Sequence, residues 1–131
     1  MILQDISQLD DVKRLVNTFY ERVREDETIG PIFEERLSGH WDEHLEKMYR
    51  FWQTLLLEEH TYYGAPFPPH ATMPIGAVHF EKWLHLFCGT VDELFAGVKA
   101  EEAKWRGRKM ATIFQVKLDM IHSGGVRQSY H

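Results

Sequence analysis

The sequence predicts one all-α domain, and three observations predict it. Apolar residues recur at steps of three and four over four long stretches, which is the helical period. Every proline falls in a gap between those stretches. No segment alternates apolar and polar residues as a half-buried strand would. A length of 131 residues suits a single core. The domain is expected to run over 1–131, with 126–131 a frayed tail. An apolar content of 44% is ordinary for a globular protein and argues against disorder.

The first helix is expected from Leu9, with Val12, Leu15, Val16, Phe19, Tyr20 and Val23 along one face. Ser7 followed by Asp10 is a start signal of the capping-box type. Gly30-Pro31 is expected to stop the helix, leaving Ile32 and Phe33 in a connector that tucks onto the core. Trp41, Leu45, Met48, Trp52 and Leu55 define a second helix ending near Glu59, with His44, Phe51 and Leu56 widening its stripe. From His60 to Gly76 the residues Gly64, Pro66, Pro68, Pro69, Pro74 and Gly76 forbid a long helix and stiffen a loop. A loop of this length is either functional or a passive connector. Phe80, Trp83, Leu84, Phe87, Val91, Leu94 and Phe95 form a third helix closing at Gly97. A fourth spans roughly 101–123 before Gly124-Gly125.

A net charge of −5 disfavours nucleic acid, which needs a basic face to displace counterions. The one basic cluster, Lys104, Arg106, Arg108 and Lys109, reads as a solvated helix face. No apolar run reaches membrane-spanning length and the first residues lack a leader pattern, so no membrane partner is expected. Cys88 is the single cysteine, which excludes an internal disulfide and makes the cytoplasm the default location. Aromatics at 13% are numerous for so short a chain, enough to pack a flat ligand or to fill an ordinary core.

Eight histidines are the first pool of chemical groups. His70 follows Pro68-Pro69, whose fixed φ angles aim the next side chain with little freedom left to lose. A neutral imidazole so presented can be an axial metal ligand, or it can be an exposed loop histidine. His44 shares a helix face with Met48 and Leu55, so it either faces a pocket or sits at the boundary with water. His40 and His44 are an i, i+4 pair of zinc-binding spacing, but Trp41 stands where a metalloprotease would carry glutamate. Tyr20 and Trp83 each bring one donor to an apolar face. They are either two core aromatics with satisfied polar tips or two donors converging on one cavity. Cys88 lies mid-helix beside Leu84 and Val91 with no activating charge, which reads as packing.

Certain runs, taken in order, resemble the truncated haemoglobins, the third group in particular. They are Phe19-Tyr20-Glu21-Arg22-Val23, Gly30-Pro31-Ile32-Phe33, Trp41 to His44, Phe51-Trp52, Pro69-His70 and Phe80-Glu81-Lys82-Trp83-Leu84. The resemblance covers about 10–95, and the C-terminal helix agrees in length and character. The glycine motifs of the other truncated groups are missing, as the third group requires. The resemblance implies a shortened globin sandwich, helices packed two over two about haem b. His70 matches the proximal, iron-binding histidine. Tyr20 and Trp83 match the distal donors and His44 the distal histidine position. Met48 would lie one turn along the same face over the haem, and Phe33 matches the aromatic that packs on it. Phe51 and Phe80 are expected with them, and Lys47 is a candidate partner for a propionate.

The implied ligands are O₂, nitric oxide and carbon monoxide. The same pocket residues would serve an enzyme that uses O₂, peroxide or nitric oxide with the help of a reductase, and pattern alone does not separate the two. A zinc or di-metal bundle on His40 and His44 is a third reading, with too few inward carboxylates at Glu-x-x-His spacing.

Overall fold

The computed structural model describes residues 2–65 and 75–122. Among them are five helices and no strand: α1 (Leu9–Glu25), α2 (Gly30–Leu37), α3 (Trp41–Leu57), α4 (Ala77–Leu94) and α5 (Val98–His122). The expected helix stop at Gly124-Gly125, the tail and most of the proline-rich loop, His70 included, lie outside the described residues. None of the described helices is long and apolar enough to cross a membrane.

The periodic residues of α1 do what their spacing implies. Val12, Leu15, Val16, Phe19, Tyr20 and Val23 are all buried, and α1 packs on both α3 and α4 while α4 packs on α5. Two layers of two helices result, with α2 folded against α1. Rings dominate the centre. Phe87 stacks on Trp52 with centroids 5.0 Å apart and on Trp83 at 5.3 Å. The edge of Phe19 meets Phe87 at 5.3 Å.

The helix ends correct four expectations. The start of α1 is capped one residue later than Ser7 and Asp10 indicate: Asp11 accepts the Gln8 amide at 3.1 Å and the Ser7 amide at 2.9 Å. Secondly, Gly30-Pro31 does not stop α1 and open a connector. α1 has already ended at Glu25, and the dipeptide begins α2. Pro31 sits in the first turn, where no intrahelical N–H is needed. The Asp26 carboxylate makes the corner by accepting the Thr28 amide at 2.8 Å and the Ile29 amide at 3.0 Å. Glycine is required at 30 because a Cβ there would come within 2.8 Å of the Val23 carbonyl oxygen. Thirdly, α4 closes at Leu94, short of Gly97. Finally, α5 starts at Val98, ahead of Glu101.

A remote carboxylate explains that early start. Asp5 accepts the Lys99 and Ala100 amides, each at 2.9 Å, so it caps α5 from the other end of the chain. Gly97 (φ +140°) gives it room, since a Cβ there would lie 2.4 Å from Asp5 Cγ. Burial opposes ionisation of Asp5, but the amides of Lys99, Ala100 and Ile6 outweigh it and hold its carboxyl below the reference 3.8. Asp5→Ala should therefore cost about 1–2 kcal/mol in urea unfolding at neutral pH. Because the folded pKa is depressed, this stabilisation is present above pH 3.8 and fades as pH falls below it. A difference between the two proteins that stays constant into that acid range would show the charge to be irrelevant.

Candidate functional site

One cavity of about 890 Å³, counted out to where it opens to solvent, lies between the layers. Every helix contributes wall. Phe19 and Tyr20 come from α1, Ile29, Ile32 and Phe33 from the α2 corner, and His44, Met48 and Trp52 from α3. Ile75, His79, Phe80 and Trp83 come from α4 and its approach, and Met110, Ala111 and Phe114 from α5. The lining is aromatic and aliphatic, with a few polar tips and no Lys, Arg, Asp or Glu among the described residues.

Tyr20 is held by four rings. Phe19 lies at 4.8 Å, His44 at 5.0 Å, and Phe33 and Trp41 each at 6.0 Å, all edge-on. Trp41 is fixed in turn by its indole N–H on Glu34 at 3.2 Å and by Arg24 over its face at 4.4 Å. Burial pushes the Tyr20 phenol well above its usual pKa, so the group stays an O–H donor. The ring plane of Trp83 is set by its stack on Phe87 and by the edge of Phe19 at 5.5 Å. One residue earlier, Lys82 pairs with Asp26 at 3.3 Å and ties this turn of α4 to the α1–α2 corner. Neither the Tyr20 hydroxyl nor the Trp83 indole N–H has a hydrogen-bond partner among the described residues.

Six residues proposed from sequence thus meet on one cavity: Tyr20, Phe33, His44, Met48, Phe80 and Trp83. Two do not. Phe51 is buried behind the wall against Trp52 at 5.3 Å and Tyr62 at 5.2 Å. Lys47 is exposed on α3, where its charge helps hold Glu43 ionised. His70 lies outside the described residues. His40 meets Glu43 at 2.9 Å on the exposed side of α3 while His44 faces the cavity, so the pair does not converge. Among the described residues no three His, Cys, Asp or Glu side chains cluster as metal ligands do.

The basic cluster on α5 is largely neutralised. Lys104 pairs with Asp92 at 2.6 Å and Glu101 at 3.0 Å, Arg106 with Glu102 at 2.8 Å, and Lys109 lies over Trp105 at 5.2 Å. Burial pushes the Cys88 thiol up, against the pull of Arg108 and Lys104. Packing describes it better than reactivity.

Among the lining residues that sequence reading did not propose, His79 is the one with an imidazole. Its signal was available, four residues before Trp83 on the same helix face. The Gly76 amide donates to its Nδ1 at 2.9 Å, closing the first turn of α4.

The comparisons with known proteins agree with this architecture. The profile of the bacterial-like globins matches residues 3–120. A curated protein, group 3 truncated hemoglobin ctb of Campylobacter jejuni subsp. jejuni, is 32% identical over 119 residues, covering 88% of this chain and 93% of its own. The crystal structure of a group III truncated hemoglobin from Campylobacter jejuni superposes with a TM-score of 0.80 at 31% identity, over 90% of this chain and 95% of that one. A profile match across almost the whole length, joined to close similarity of sequence and fold with that relative, places this chain in the bacterial-like globin family as a group III truncated haemoglobin.

Proposed function

We propose that this globin holds haem b in the cavity through His70 and binds O₂ and related diatomic gases there. The chemistry of the walls fits such a group. A flat, largely apolar ring needs aromatic and aliphatic faces, which Phe33, Met48, Phe80 and Phe114 supply. Bound there, ferrous haem supplies reversible coordination of a diatomic ligand, with electron density drawn onto that ligand.

The chain's own residues account for the rest. Tyr20 and Trp83 donate to the negative end of the ligand from positions fixed by packing, so little reorganisation accompanies binding. The apolar lining keeps water from competing for those donors, and a hydrogen bond is stronger in a site of low polarity. His44, in edge contact with Tyr20 on the same wall, would help hold the phenol toward a bound ligand. Phe33 and Met48 exclude solvent from the same side.

The observation that carries this reading is an apolar, aromatic-walled cavity onto which Tyr20, His44 and Trp83 all converge. A ligand bound there would meet the Tyr20 hydroxyl and the Trp83 indole N–H as its nearest donors on that wall. Titration of the purified chain with hemin is the test. Uptake of one equivalent with a sharp Soret band is expected. A protein that stays colourless in excess hemin overturns the proposal.

A further inference from the structure

His79 stands half-buried in the first turn of α4 with its ring on the cavity wall. The bond it accepts from Gly76 decides its chemistry. An amide N–H can only donate, so Nδ1 holds a lone pair and the neutral ring carries its proton on Nε2. A metal-binding histidine is arranged the other way: it donates one N–H to a carbonyl or carboxylate and offers the second nitrogen to the metal. His79 is therefore set as a donor rather than as an iron ligand, and its Nε2–H has no partner among the described residues.

What that donor would meet follows from the charge of the lining. Haem carries two carboxylates, and any part of them drawn in from the solvent-facing mouth of the cavity needs a donor beside it. No Lys or Arg lines the cavity among the described residues, and Lys47 stands outside it. We propose that His79 donates from Nε2 to a carboxylate substituent of the cofactor and so helps fix how the porphyrin is seated. The inference rests on the haem reading above. The positive end of the α4 dipole, one turn away, acts in the same direction.

The test compares release of hemin and of hemin dimethyl ester, which lacks the carboxylate charge, from the wild-type protein and from His79→Phe. Each loaded protein is mixed with excess competing apoglobin and the Soret change is followed. Wild-type protein should lose the ester about tenfold faster than the free acid, as expected for loss of a charge-assisted hydrogen bond. His79→Phe should lose the free acid about three- to tenfold faster and the ester at the wild-type rate, shrinking the discrimination. His79→Gln retains an oxygen for the Gly76 amide and an N–H for the carboxylate, so it should recover most of the difference. This separates the donor from a merely frayed helix start, with circular dichroism as the check on folding. An acid-to-ester ratio in His79→Phe equal to that of the wild type overturns the assignment while leaving haem binding intact. Failure of the wild-type protein to take up either porphyrin overturns both.

Discussion

Tyr20→Phe should release O₂ about ten- to a hundredfold faster than the wild-type protein, measured by stopped-flow displacement with carbon monoxide. The substitution removes one hydroxyl and leaves the ring, so the edge contacts of Phe19 at 4.8 Å and His44 at 5.0 Å still hold the side chain in place. What is lost is a hydrogen bond to a partly charged acceptor, a class worth ~1.5–3 kcal/mol, and each 1.4 kcal/mol is about a factor of ten in rate. Burial keeps the phenol protonated, so the donor cannot be removed by working at moderately alkaline pH. Carbon monoxide draws little charge, and its release should change by no more than about twofold. Equal acceleration of both gases would mean the hydroxyl acts through space-filling alone.

Trp83→Phe is the companion case, with a different balance. It removes the indole N–H and also the larger face stacked on Phe87, so some loss of stability accompanies any change in gas release. Both rings lean on Phe19, so the effects of the two substitutions should not add in the double variant. The interaction energy from that cycle measures whether the two donors share one ligand.

The pattern of apolar residues was enough for the four long helices, though not for the short α2, because burial follows the helical period directly. Leu15, Val16 and Phe19 of α1 and Phe87 and Val91 of α4 are in the core where spacing put them. The corner at Gly30-Pro31 was misread for a local reason. Proline is excluded from a helix interior and welcome in its first turn, and the Asp26 side chain decides between the two by turning the chain first. At the site, α3 shows how far a stripe can be trusted. His44, Met48 and Trp52 face the cavity at steps of four, and such a stripe drifts about 40° per step around a helix of 3.6 residues per turn. By the level of Trp52 the cavity side has moved away from Phe51, which packs on Tyr62 instead. His79 was overlooked because its role depends on a backbone amide, and side-chain spacing does not record where amides point.

The largest effect is expected at His70, where loss of one side chain should remove the protein's bond to iron. A coordinate bond to a metal is directional and tight, whereas a charged hydrogen bond is worth ~1.5–3 kcal/mol. Hemin release from His70→Gly should therefore exceed that from His79→Phe, by at least about tenfold. Glycine also leaves space for a small molecule of the lost shape, so added imidazole should restore the wild-type spectrum. The two histidines that line the cavity among the described residues, His79 and His44, supply the controls. His79 already spends its Nδ1 on the Gly76 amide, with the proton on the nitrogen that would have to bind iron. His44 lines the cavity with its ring against Tyr20. Neither His79→Phe nor His44→Leu should abolish the spectrum of the ferrous carbon monoxide complex as His70→Gly does. If His70→Gly keeps that spectrum without imidazole and one of the other two loses it, the iron is held by the wrong side chain in this account, and the distal roles of Tyr20 and Trp83 must be reassigned with it.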